Sequence, residues 1–168
     1  ILEQREDEFV ISLNERGNIV EYCKIRNKEL AQLYFSIFVK RGVTDFEFPL
    51  MTLINDIEDI EILKEYLTSE QLDDFYSVDS RTKGKINFST KLNKIYYIDA
   101  SDNEYNLSYL PNRIFQTFYV SIVKLKTIKE WMIQLNGDNG LVDEYEATLL
   151  GYSSEGLSRS DLFVTKEK

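Results

Sequence analysis

The chain reads as a single α+β domain in which antiparallel hairpins pack with three to four helices. Three observations carry that expectation. At 168 residues the chain suits one core of ordinary size. Runs rich in β-branched and aromatic residues alternate with segments whose apolar residues recur at helical spacing. No internal repeat, low-complexity tract or Pro/Gly/Ser linker divides the chain. Residues 1–168 are therefore taken as one domain. Since residue 1 is Ile and not Met, the chain is also compatible with being a piece of a longer one.

The N-terminal "ILEQREDEF" is acidic where a secretory signal would be basic and then apolar. "FVISLNERGNIVEYCKI", Phe9 to Ile25, holds two β-rich runs around a tight turn suited to Gly17 and Asn18, and so predicts a hairpin. "NKELAQLYFSIFVKRG" follows as a helix, with Leu30, Leu33, Tyr34, Ile37 and Phe38 in register and Gly42 placed as its stop. "VTDFEFP" is a short extended piece before Pro49. A second helix runs through Leu53, Ile57, Ile60 and Leu63 or Lys64, with Glu58, Glu61 and Glu65 on its opposite face. "TSEQLDDFY" predicts a third, short helix in which Thr68-x-x-Gln71 forms a capping box.

The next stretch, "KINFSTKLNKIYYIDASDNEYNLSYL", predicts one or two hairpins with a tip near Ser101 to Asn103. Pro111 then opens a helix in which Phe118, Ile122, Leu125, Met132 and Leu135 share about one face, and Gly137 ends it. An alternative leaves "FYVSIV" as a strand and caps a separate helix at Thr127. The tail from Leu141 reads as strand, loop, strand.

Composition excludes much chemistry. With no histidine in the chain, Ser-His-Asp and Cys-His arrangements and histidine-ligated metals are ruled out. Cys23 is the one cysteine, so no internal disulfide forms. Its place in a predicted strand marks it as a packing residue, and nothing argues for an oxidising compartment. Neither G-x-G-x-x-G nor a P-loop occurs. No apolar run has the length to cross a bilayer. A cytoplasmic location and no membrane partner are expected.

Charge is where the sequence is most informative. The net charge is −9, and Asp45 to Asp79 holds eleven acids against Lys64 alone. The following stretch is basic, carrying Arg81, Lys83, Lys85, Lys91 and Lys94 among Phe88, Tyr96 and Tyr97. Basic groups interleaved with aromatics would suit a single-stranded nucleic acid. Overall acidity argues against direct nucleic-acid binding, and the acidic block is the expected counterpart of the basic strands, within the molecule or between molecules.

Three function classes follow. First is an acidic protein-interaction module of the inhibitor or immunity kind, which masks a basic, nucleic-acid-binding type of surface on a partner protein. Its expected contact residues are Glu58, Glu61, Glu65, Asp73 and Asp74, with Tyr66, Phe75 or Tyr76 as the apolar anchor. Second is a ligand-binding sensor or scaffold domain of a larger protein. The hairpin stretch resembles the opening of sensor folds of the PAS type, a pattern common to many hairpins, and no family is assigned from it. Third is a carboxylate enzyme that uses magnesium, built from Asp56, Glu58, Asp59, Glu61, Asp73 and Asp74 with Lys83 or Lys85. The chain lacks the Glu and Lys two residues apart on one strand that such nuclease cores use, so no catalytic residue, metal site or cofactor is assigned. The loop "DASDNE" lacks EF-hand spacing and reads as a solvated hairpin tip.

Overall fold

A computed structural model describes residues 1–136 and 146–152. Among these described residues, two sheets and five α-helices, two of them single turns, form one α+β unit around one core.

The first sheet has the order β1-β2-β3 and is antiparallel throughout, with β1 Leu2–Arg5, β2 Glu8–Glu15 and β3 Asn18–Ile25. The expected hairpin is present, with its turn one residue earlier than expected. Arg16 (φ +51°) and Gly17 (φ +88°) are the central residues, and Asn18 already pairs with Glu15. Positive φ at both central positions matches the right-handed twist of the flanking strands, and the Asn14 carboxamide accepts the Gly17 N–H at 3.1 Å. Strand β1 was not anticipated, because only Leu2 in it is apolar; backbone pairing to β2 carries it.

Helix α1, Lys28–Val43, starts at Asn27, whose side chain accepts the Leu30 N–H at 2.9 Å. Glu29 in the first turn and Lys40 and Arg41 in the last complement its dipole. Ala31, Tyr34 and Ile37 are buried. Gly42 does not stop the helix: it lies inside the last turn, and the Thr44 N–H closes on the Lys40 carbonyl at 3.0 Å. Residues 44–48 form no strand and lay Phe46 against Trp131 (5.7 Å) and Phe48 against Tyr119 (6.3 Å).

The helix expected through Leu53 to Lys64 is two helices, α2 (Met51–Ile54) and α3 (Ile60–Ser69). Asp59 divides them, since its extended backbone and its carboxylate, accepting the Glu61 N–H at 2.9 Å, begin a new helix. No capping box forms at Thr68, which lies inside α3. Gln71 turns left-handed (φ +57°) just beyond it, and a single 3-10 turn, Asp73–Phe75, takes the place of the expected helix.

The second sheet has the order β4-β5-β6-β7: Tyr76–Val78, Ile86–Ser89, Lys94–Ile98 and Glu104–Asn106. Two hairpins, β5-β6 and β6-β7, match the expectation, and the tip of the second spans residues 99–103. Strand β4 runs parallel to β5, an arrangement that ordinarily needs a longer crossover than residues 79–85 supply. Asn87 makes the short link workable. Its side chain is fully buried, accepts the Thr82 N–H at 2.8 Å and donates to the carbonyls of Thr82 (3.0 Å) and Lys85 (2.9 Å). The Ser77 hydroxyl lies 2.7 Å from its oxygen.

Helix α4, Ile114–Asn136, is unbroken, so neither the strand at "FYVSIV" nor the cap at Thr127 forms; the Thr127 hydroxyl donates to the Val123 carbonyl instead. Phe118, Ile122, Leu125 and Met132 are buried as expected, whereas Leu135 at the far end is 51% exposed. The helix packs on α1, α2, α3 and β5. Residues Glu146–Leu150, expected as strand, form helix α5. The stop at Gly137 and the strand expected beyond Tyr152 fall outside the described residues. No helix among the described residues is long and apolar enough to cross a membrane.

Candidate functional site

The acid-rich stretch is organised by α3. Leu63 and Leu67 are its buried register, so Glu61, Ile62 and Glu65 are left for the outer side, and Glu58 stands just before the Asp59 cap. Glu58, Glu61 and Glu65 are all exposed. Glu61 holds Lys64 in an ion pair at 2.8 Å, and that hydrogen bond raises the lysine above its ordinary pKa. Asp73 and Asp74, in the 3-10 turn, continue the acidic surface, with Asp73 accepting the Thr68 hydroxyl at 2.7 Å.

The aromatic anchors divide. Tyr66 and Phe75 are half-buried against the core. Tyr76 is only 8% exposed and packs edge-on against Phe118 at 5.8 Å, so it serves the core and has no face to offer a partner. The apolar groups that do reach solvent here are Ile62, 47% exposed among the glutamates, and Leu53, 50% exposed. Ile62 was missed in the sequence, yet a signal was there. In "IEIL" three apolar residues occupy four consecutive positions, and one helix side cannot bury all three.

Between Asp45 and Asp79, Glu61 is the one acid in an ion pair among the described residues. The other polar contacts of the block go to neutral groups: Asp59 to a backbone N–H, Asp73 to Thr68, and Asp79 to the Thr90 N–H (2.8 Å) and hydroxyl (2.6 Å). The hydrogen bonds from Thr90 hold the Asp79 carboxyl below its usual value.

The basic strands do not neutralise this block within the molecule, so of the two pairings expected from the sequence the internal one does not form. Arg81 pairs with Asp102 at 2.5 Å and reaches Glu104 at 3.8 Å; Lys83 lies 3.9 Å from Asp102, and Lys94 pairs with Glu104. Lys85 reaches the block only at a backbone oxygen, donating to the Asp73 carbonyl at 3.2 Å. The second sheet therefore balances much of its own charge through the acids of its β6-β7 hairpin. Its interleaved aromatics, Phe88, Tyr96 and Tyr97, are buried, so they present no face on which bases could stack.

The remaining candidates resolve as structural. The "DASDNE" tip closes on itself: buried Asp99 accepts the Asn103 N–H (2.8 Å), the Asn103 carboxamide (2.9 Å) and the Tyr105 hydroxyl (2.9 Å). Burial and that hydrogen bond push the Tyr105 phenol up to about 12. Among the described residues no group of three or more His, Cys, Asp or Glu is placed to hold a metal ion, and the carboxylates named for magnesium form no such group. Cys23 is half-buried, and burial pushes its thiol up to about 11. A fully buried carboxylate, Glu146, accepts the Tyr97 hydroxyl at 2.5 Å and lies 3.5 Å from the Lys129 ammonium. Nothing in the sequence pattern announced that contact, which joins α4, α5 and β6.

Comparison with protein-family models, with curated proteins and with solved structures finds no match for this chain.

Proposed function

We propose that this chain is an acidic protein-interaction module of the inhibitor kind, whose α3 surface masks a basic surface on a partner protein. The observation that carries the reading is the uncompensated charge of the block: Glu58, Glu65 and Asp74 are exposed and have no ion pair among the described residues. A potential left unpaired within the molecule steers a positively charged partner into contact and disfavours acidic ones. Ile62 and Leu53 supply the apolar contact that charges alone lack, and Tyr66 and Phe75 border it. A basic nucleic-acid-binding face fits as the partner, while direct binding of nucleic acid by this chain does not. The setting is taken as the cytoplasm, where a lone cysteine is unremarkable.

The test is affinity capture followed by kinetics with the recovered partner. Reversing Glu58, Glu61 and Glu65 to Lys should slow association and flatten its salt dependence, with stability changed by no more than about 0.5 kcal/mol because the sites are exposed. Ile62→Ala should speed dissociation and leave association alone. If the partner associates with the triple reversal as fast as with wild type at both low and high salt, the α3 surface is not where it docks.

A further inference from the structure

A cleft runs along one side of α4, between it and residues of α2 and of the stretch after β7. Its wide part, about 730 Å³, is lined by Met51, Asn55, Ser108, Asn112, Arg113, Gln116, Thr117 and Val120. A narrow recess of about 70 Å³ adjoins it, sharing Ser108, Thr117 and Val120 and adding Ser121, Lys124 and Tyr152 among others. Arg113, just before α4, and the α4 residues Gln116, Thr117, Val120, Ser121 and Lys124 follow helical spacing, so one stripe floors both parts. From Arg113 to Lys124 the stripe extends about 16 Å at 1.5 Å per residue.

The lining is chemically one-sided. Acids are 29 of the 168 residues, yet among the described residues neither part has an Asp or Glu in its wall. In their place stand carboxamides (Asn55, Asn112, Gln116), hydroxyls (Ser108, Thr117, Ser121, Tyr152) and a cation toward each end, Arg113 and Lys124. The wide part opens at the first turn of α4, where backbone N–H groups lack intrahelical acceptors and the dipole is positive. Among the described residues no aromatic ring lines that wide part.

Lys124, in the wall of the recess, carries a charge whose electrostatic demand is unmet. The Lys124 ammonium has no carboxylate within ion-pair distance among the described residues; its recorded contact is the Phe46 ring, 6.0 Å away. Burial lowers its pKa, and the nearby positive charge of Arg41 lowers it further. An anion in the recess would offset both effects. Thr117 spends its proton on the Arg113 carbonyl at 2.9 Å, which leaves its oxygen as an acceptor for a ligand hydroxyl, whereas Ser121 donates to the Thr117 carbonyl at 2.8 Å and is hydrogen-bonded to Tyr152. Gln116 and Asn55 hydrogen-bond to each other at 3.2 Å and keep one acceptor and one donor for a ligand.

We infer that this cleft binds a phosphorylated, hydroxyl-rich small molecule of disaccharide size, its phosphate seated in the recess at Lys124 and its hydroxylated body along the amides and hydroxyls of the wide part. The volume of the wide part is that of ordinary small-molecule sites. The absence of an aromatic wall there disfavours a nucleobase, and the absence of acids disfavours a cationic ligand.

The experiment is a calorimetric titration of the full chain with a phosphorylated disaccharide, its neutral parent and inorganic phosphate, read alongside amide NMR shifts. Saturable binding of the phosphorylated sugar is expected, at least tenfold tighter than its neutral parent, with shifts concentrated at residues 112–124. Lys124→Met should weaken it tenfold or more. Since Lys124 is partly buried, the exposed Arg113→Ala provides a second variant and should also weaken binding. Circular dichroism checks that both variants are folded. The inference is overturned if the phosphorylated sugar does not saturate, if the neutral sugar binds as well, or if folded Lys124→Met and Arg113→Ala both bind like wild type.

Discussion

Asn87 is the side chain whose replacement says most about how the second sheet is held. Its oxygen receives the Thr82 N–H and lies beside the Ser77 hydroxyl, and its amide protons serve two carbonyls. Asn87→Asp keeps the shape, removes both donors and turns an ionised oxygen toward the carbonyls of Thr82 and Lys85. Two lost hydrogen bonds plus the cost of leaving buried acceptors unmet come to about 2–4 kcal/mol at pH 7. Burial and the facing carbonyls raise the folded pKa of the new carboxyl above its unfolded value near 4. A raised carboxylate binds more protons folded than unfolded, so the penalty is full above the folded pKa and shrinks as pH falls toward the unfolded value. Asn87→Leu, with no titrating group, should cost about as much and show no such recovery. Urea unfolding of wild type and both variants at pH 7.5 and pH 4.5 measures this, and using differences from wild type cancels the titration of other groups. A cost under about 1 kcal/mol for Asn87→Asp at pH 7.5 would refute the assignment of the short parallel crossover to this side chain, as would equal pH dependence for the two variants.

Three further outcomes are expected. Cys23, with its thiol pushed up to about 11 by burial, should react slowly with thiol reagents in the native protein at pH 8 and quickly after unfolding, as followed by absorbance. Phe118→Ala, which removes a fully buried ring standing 5.8 Å from Tyr76 and 5.5 Å from Phe88, should cost about 3–5 kcal/mol by denaturant unfolding. The Asp79 carboxyl, held low by Thr90, should titrate below 3.8 by carbon NMR. Its stabilising effect should be present above the unfolded value and disappear as pH falls through the lowered folded one.

Periodicity located what periodicity encodes. The β2-β3 hairpin, α1, the paired hairpins of the second sheet and the inner side of α4 all place buried residues at spacings of two or of three and four, and each was legible. Boundaries set by a single polar side chain were not. Asp59 splits an apparently continuous helix because its carboxylate satisfies an N–H that would otherwise be orphaned, and the apolar pattern runs through that break unchanged. Strand β1 and the β4-β5 pairing depend on backbone hydrogen bonds, which side-chain patterns do not record. At the candidate site the exposed glutamates could be read from their spacing on α3. The burial of Tyr76 and the exposure of Ile62 could not, since each depends on where the chain goes next: Tyr76 opens β4 and meets Phe118 from far along the sequence. The internal pairing of the basic strands was hidden for the same reason, because Asp102 and Glu104 face Arg81 only once β6 and β7 fold back.

The two sheets share no strand, and this sets an order of assembly. Strands β1 to β3 pair among chain neighbours, so closing their loops costs little entropy and their hairpin can form within microseconds. The helices have no such independence, because α1 and α3 both pack on α4, which begins at Ile114. During synthesis the N-terminal strands emerge first and can pair while Leu63 and Leu67 still await their cover. Throughout that interval the sticky segment carries the densest negative charge in the chain, and mutual repulsion keeps nascent copies apart until α4 arrives.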